Sequence, residues 1–119
     1  MEKRNEIVEV SFEFALLVIE FTELLEERRK YVIARQLLRS GTSIGANIRE
    51  AQSSESRADF IHKLKISAKE AQETEYWLLL CKKSPSYPTP DTEFERKLLS
   101  IQKLLSKIIA AAKSNTKRS

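Results

Sequence analysis

An all-α domain, a bundle of four helices, is what this sequence predicts, on three observations. Only two glycines and three prolines occur in 119 residues, too few for the many turns of a β-fold. Apolar residues recur at spacings of three and four along four long stretches. A composition of 41% hydrophobic and 32% charged residues at this length suits one core and makes a two-domain enzyme improbable.

The first helix is expected over about residues 5–27, a stretch with no glycine or proline. Steps of 100° put Val8, Phe12, Ala15 and Ile19 on one side, and Val10, Phe14, Leu17, Phe21 and Leu24 on the other. Between them runs a narrow polar stripe of Glu9, Glu13, Glu20 and Glu23, interrupted by Leu16. A helix on the surface of a monomeric bundle would show a broader polar face. The apolar excess therefore predicts burial against a second copy, with Phe12, Phe14 and Phe21 as candidate interface residues.

After a charged corner of Arg28, Arg29 and Lys30, a second helix is expected over residues 31–52, with Ile33, Leu37, Ile44, Ile48 and Ala51 on one stripe and Gly41 among them. Glycine costs a helix about 1 kcal/mol relative to alanine, so Gly41 and Gly45 require a reason. Either the helix bends there or a neighbouring helix comes close. The apolar period continues through both glycines and favours close approach.

Ser56 with Asp59 three residues on matches a capping pattern, and the third helix is expected over 56–83. Ile61, Leu64, Ala68, Ala71 and Leu78 give its inward stripe, which also takes in Glu75. Tyr76 to Cys81 are six consecutive largely apolar positions that wrap every face of the helix, which adds Tyr76 and Trp77 to the candidate interface. Pro85, Pro88 and Pro90 then enforce a loop. The last helix is expected over 91–113, capped by Thr89 or Asp91 with Pro90 in its first turn, and burying Phe94, Leu98, Ile101, Leu105, Ile108 and Ala112. Residues 114–119 contain nothing apolar and are expected to be a disordered tail.

Charge is unevenly placed within the net +4. From Arg96 onward there are seven basic residues and no acidic one, leaving fourteen basic against seventeen acidic before them. Such a basic segment can attract a polyanion, but is more often simply the solvated C-terminal part of a helix. Candidate nucleic-acid contacts are Lys103, Lys107 and Lys113 on the last helix, with Arg28, Arg29, Lys30, Arg35, Arg39 and Arg49 at the corner and along the second helix. The arginines have an alternative use, pairing with the acidic stripe of the first helix in a neighbouring subunit.

Other chemistry finds little support. Ser43, Asn47 and Glu50 form a polar line on the second helix that reads as structural hydrogen bonding. An acid–base site of Glu50 with Glu73 or Glu75 is a distant alternative, and the Glu-x-x-His pairs of di-metal bundles are missing. Cys81 is the one cysteine, so no internal disulfide can form, and with only His62 beside it no zinc site is recognisable. Cys81 reads as a small buried hydrophobe. Gly41-Thr42-Ser43-Ile44-Gly45 lacks the spacing and lysine of a phosphate-binding loop. No metal or cofactor is expected. The N-terminal residues show no secretory pattern and no apolar run reaches the ~18 residues of a membrane span, so the expectation is a cytoplasmic protein without membrane contact.

The run Gln36-Leu37-Leu38-Arg39-Ser40-Gly41-Thr42-Ser43-Ile44-Gly45-Ala46-Asn47-Ile48-Arg49-Glu50-Ala51 resembles the signature of a bacterial family of small four-helix-bundle proteins encoded in intervening sequences of large-subunit ribosomal RNA genes. Asp59-Phe60-Ile61, Lys63-Leu64-Lys65-Ile66 and Glu70-Ala71 through Glu73-Thr74-Glu75-Tyr76-Trp77-Leu78 are similar to the same family. The chain departs from the commoner pattern at Ala51 and at Lys69-Glu70. The resemblance implies a left-handed up-down bundle that assembles into a homo-oligomeric ring, a pentamer, without enzymatic activity. A related bundle, the accessory protein of diversity-generating retroelements, binds nucleic acid and a reverse transcriptase, so a scaffold role is implied as well. The functional expectation is thus a non-enzymatic oligomer that binds RNA or DNA through basic surfaces. A protein–protein adaptor without nucleic-acid affinity is the alternative.

Overall fold

The computed structural model describes residues 5–118, with side chains as far as Ser114. Its elements are α1 (Glu6–Glu27), α2 (Tyr31–Ala51), α3 (Arg57–Lys83) and α4 (Thr92–Arg118), and no strand occurs among the described residues. α1 packs on α2 and α4, and α3 packs on the same two, while neither diagonal pair touches. The helices thus stand at the corners of a square in chain order.

Neighbours run antiparallel. Asn5 at the start of α1 donates to Gln52 past the end of α2, 3.0 Å away. Lys63 near the start of α3 bonds Glu50 near the end of α2, and Thr74 further along α3 bonds Ser40 further back in α2. Lys82 late in α3 meets Glu95 early in α4. Along the fourth side, Phe94 reaches Phe21 while Lys97, one turn later, meets Glu13. The chain therefore goes up, down, up, down.

Local chemistry sets the helix ends. Ser56 Oγ accepts from the Asp59 N–H at 3.0 Å, and Asp91 Oδ1 accepts from the Phe94 N–H at 2.8 Å; each satisfies a donor that a helix start leaves open. Of the two caps foreseen for α4 it is Asp91 that serves, and Pro90 is buried just ahead of the cap rather than inside the first turn. α4 also runs on to Arg118 instead of ending at 113. No glycine or proline follows Pro90, so each further residue adds a backbone hydrogen bond to a nucleus already formed. Only Ser119 of the expected tail lies outside the described residues.

α1 closes with a reciprocal pair of bonds, Lys30 N–H to Leu25 O at 2.8 Å and Arg29 N–H to Glu26 O at 2.9 Å. This closure needs a left-handed residue between helix and exit, a place glycine usually fills. Here Arg29 fills it at φ 61°, at a steric cost of about 1 kcal/mol. Arg29→Gly should therefore raise the stability by about 1 kcal/mol in a urea titration; an unchanged midpoint would show that the corner relaxes without strain.

The core follows the predicted stripes on α2 and α4. Leu37, Gly41, Ile44, Ile48 and Ala51 are buried, as are Phe94, Leu98, Ile101, Leu105 and Ala112, with Ile33 and Ile108 half-buried. On α3 the buried line is Leu64, Ser67, Ala71, Thr74, Leu78 and Cys81, so it is rotated from the predicted stripe and Glu75 lies outside it. The hydroxyls can be buried because they are bonded: Ser67 Oγ donates to Ile44 O at 2.9 Å, and Thr74 Oγ1 sits 2.9 Å from Ser40 Oγ. Such small side chains let α2 and α3 approach.

α2 is continuous through both glycines, which settles the choice left open in favour of close approach. A Cβ on Gly41 would fall 2.7 Å from Val18 Cγ2, and one on Gly45 would fall 3.3 Å from the Ser11 carbonyl oxygen. The glycines are where α1 lies against α2.

The five candidate interface aromatics separate. Phe14 and Phe21 are buried within this chain, their rings 5.1 and 5.6 Å from that of Phe94. They belong to the chain's own core, against the expectation that a second copy covers them, because α4 brings Phe94 between them. Trp77 is half-buried and donates from Nε1 to Glu73 at 3.0 Å. Phe12 and Tyr76 remain exposed. With Leu16 and Ile19, Phe12 forms an uncovered apolar stripe on α1, at exposures of 50, 50 and 42% for Phe12, Leu16 and Ile19.

Candidate nucleic-acid interface

The nine basic residues singled out from the sequence fall in three separate places. Arg28, Arg29 and Lys30 stand at the α1–α2 corner, where Lys30 Nζ lies 5.0 Å over the Tyr87 ring. Arg35, Arg39 and Arg49 run along α2, and Lys103, Lys107 and Lys113 along α4. No single patch collects them.

Two of the α2 arginines are engaged inside the chain. Arg39 bonds Glu70 at 3.0 Å and also Glu73, both on α3 of its own chain. The antiparallel register places those two acids beside it. Bonding to Glu73 holds the Arg39 guanidinium above its ordinary pKa. In turn Arg39, then Trp77, hold the Glu73 carboxyl below the usual carboxylate range. Arg49 lies 5.5 Å over the ring of Phe12, a cation–π contact in which the arginine partly shields the exposed ring. Arg28, Arg29 and Arg35 are exposed and carry no ion pair among the described residues.

The polar line on α2 is structural where it touches protein. Ser43 Oγ donates to Arg39 O at 2.7 Å and Asn47 Nδ2 to Ser43 O at 2.9 Å, each one turn back along its own helix. Glu50 is exposed and bonded to Lys63 at 2.9 Å. Glu73 lies ten residues beyond Lys63 on α3, a rise of about 15 Å, so Glu50 and Glu73 do not share a site. Glu75 faces a different cleft, between α3 and α4. Among the described residues no three side chains of His, Cys, Asp or Glu gather into a metal-binding group. Burial pushes the Cys81 thiol up to about 11, which keeps it protonated at neutral pH.

The basic surface that does form lies on adjoining outer faces of α3 and α4. Leu98, Ile101 and Leu105 turn α4 toward the core, which leaves Lys103 and Lys107 pointing away from it. On α3 the buried line of Leu64, Ser67 and Ala71 does the same for Lys65 and Lys69. The antiparallel register set by Lys82 and Glu95 puts Lys69 nearly level with Lys107, with Lys65 displaced toward the C-terminal end of α4 and Lys103 toward the Lys82–Glu95 end. All four are exposed and make no ion pair among the described residues. The only carboxylate on α3 between Phe60 and Gln72 is Glu70, which is turned to Arg39. Sequence reasoning missed Lys65 and Lys69, although their spacing of four on one helix face signals a shared side. The missing information was that α4 lies beside that face.

No described helix is long and apolar enough to cross a membrane. Residues 3–109 match the model of the family described as 23S rRNA-intervening sequence protein. No curated protein matches. A crystal structure from Bacteroides thetaiotaomicron, of a protein with unknown function from the S23 ribosomal protein family, is similar over 87% of this chain and 97% of that one, with 44% identity and a TM-score of 0.79. The glycine-bearing motif that brings α1 against α2 thus sits in a chain whose sequence matches across all but its two ends, and the protein belongs to the 23S rRNA-intervening sequence protein family.

Proposed function

We propose that this protein is a non-enzymatic, self-associating helical scaffold that binds RNA or DNA through the outer faces of α3 and α4. The observation that carries the nucleic-acid half is the group of Lys65, Lys69, Lys103 and Lys107, exposed and in no ion pair among the described residues. Lysines one turn apart stand about 6 Å from each other along the helix, a spacing that lets each reach a separate phosphate. Self-association is supported by the stripe of Phe12, Leu16 and Ile19. A ring of like subunits would repeat the lysine group around one axis and multiply its field. Five subunits is the number the sequence resemblance suggests.

Four phosphate contacts predict a definite salt dependence. The logarithm of the association constant for single-stranded RNA should fall with the logarithm of salt at a slope near −3 per subunit engaged, about −0.7 for each phosphate. Lys103→Gln with Lys107→Gln should cut that slope by about half, as read by fluorescence titration across a salt series. Absence of binding at low salt would remove the nucleic-acid half. The adaptor reading is favoured by the apolar cleft between α3 and α4, and a partner protein that copurifies after nuclease treatment would support it.

A further inference from the structure

We infer that the exposed ring of Tyr76 stacks on an unpaired base of single-stranded RNA or DNA whose phosphates lie on the lysines of α3. This inference rests on the nucleic-acid binding proposed above and names the form of strand that the same face selects. Tyr76 is 55% exposed, more than Phe12 or Tyr31, and a ring so placed costs apolar hydration until something covers it. Phe12 at least has Arg49 over its face.

Position joins the ring to the lysines. On α3, steps of 100° put Lys65, Lys69 and Tyr76 within an arc of about 40°, opposite the buried line of Leu64, Ser67, Ala71 and Leu78. Tyr76 stands two turns beyond Lys69, about 10 Å, which a strand crosses in about three stacked nucleotides or fewer extended ones. Eight residues along each helix from the Lys82–Glu95 pair stand Thr74 and Lys103, so Lys103 of α4 is within a turn of the level of Tyr76. Basic side chains thus flank the ring along α3 and across on α4.

The ring is also held in place. Its centroid lies 5.4 Å from that of Trp77 at an interplanar angle of 61°, an edge contact that occupies at most one face of Tyr76. Trp77 is itself fixed, half-buried and donating from Nε1 to Glu73, which Arg39 holds. A base therefore meets an aromatic platform that is already ordered, which lowers the cost of binding. Charge around the ring agrees. Of the acids beside it, Glu70 and Glu73 are matched by Arg39, while Glu75 lines the cleft on the α4 flank, one negative charge against those of Lys69 and Lys103. A duplex offers no free base, because its bases are stacked on one another. The lysines hold either form of nucleic acid, and Tyr76 adds affinity for single strands alone.

Tyr76→Leu removes the π face and keeps an apolar body against Trp77, and Tyr76→Phe keeps both. The full chain is titrated with one labelled sequence as single-stranded RNA, single-stranded DNA and duplex; the tighter-bound single strand identifies the ligand. Single-strand binding should be about tenfold weaker in Tyr76→Leu and native-like in Tyr76→Phe, with duplex binding the same in all three chains. The salt slope should not change, since a stacked base releases no counterion, in contrast to its fall in the Lys103→Gln, Lys107→Gln double variant. Trp77 is the one tryptophan of the chain and gives a local signal: single strands should quench its emission and the duplex should not. No loss on single strands, or an equal loss on the duplex, overturns the stacking and leaves the lysine reading standing. A native chain that binds neither form at low salt overturns both. Circular dichroism checks the fold, and Tyr76→Gln takes the place of Tyr76→Leu if that chain fails it.

Discussion

Gly41→Val is expected to lower the stability by about 3 kcal/mol and the melting temperature by roughly 10 °C. A Cβ at this position alone would lie 2.7 and 2.8 Å from the two methyl carbons of Val18, well inside van der Waals contact. Val18 is fully buried and, being β-branched on a helix, is held to essentially one rotamer, so it cannot swing aside. The gain in helix propensity on losing glycine is only about 1 kcal/mol, too small to offset the forced separation of α1 and α2. Val18→Ala should partly rescue Gly41→Ala, since the methyl groups removed from one helix make room for the one added to the other. The coupling is read from a double-mutant cycle in urea. A Gly41→Ala variant more stable than the native chain would show that the helices have room to spare.

Phe94→Ala is expected to cost about 4 kcal/mol. Phe94 is buried at the start of α4 with its ring tilted against Phe14 and edge-on to Phe21, and the Asp91 cap fixes its backbone N–H. Truncation removes the buried ring and two aromatic contacts and leaves a void between α1 and α4. That side of the square is otherwise bridged at the surface by Lys97 and Glu13 at 3.3 Å, an exposed pair contributing at most about 1 kcal/mol. Phe94→Leu should lose much less, about 1 kcal/mol, because most of the volume remains. Chemical denaturation distinguishes the two variants; equal losses would mean that the aromatic cluster contributes shape and nothing more.

Both predictions come from places where pattern reading reached different depths. The stripe of α4 could be read because its inward positions are all large and apolar, so periodicity and burial agree. On α3 they disagree. The buried line includes Ser67 and Thr74, which a hydrophobic pattern counts as polar, and it excludes Glu75, which the pattern drew inward. What buries the hydroxyls is their bonding to Ile44 O and Ser40 on α2, a relation between residues more than twenty positions apart. Phe14 and Phe21 pose the same difficulty on α1. Two apolar faces were evident, and only the position of Phe94 decides which of them the chain covers.

The candidate binding face was partly legible for a related reason. Net charge located the basic last helix, and lysines at its outer positions follow from its buried stripe. The companion pair on α3, Lys65 and Lys69, gains meaning only once α4 lies alongside. Conversely, Arg39 looked available and proved to be bonded to Glu70 and Glu73, because the register of α2 against α3 puts acids within its reach.

Helix number, the loop, the capping serine and the faces of α2 and α4 follow from the residues alone, because they depend on interactions within one or two turns and on spacing that local geometry makes periodic. Packing between helices decided the rest: which face of α1 is sheltered, which arginines are already matched, and where lysines from two helices stand together. Those outcomes depend on register and rotation between segments distant in the chain, and a one-dimensional pattern carries neither.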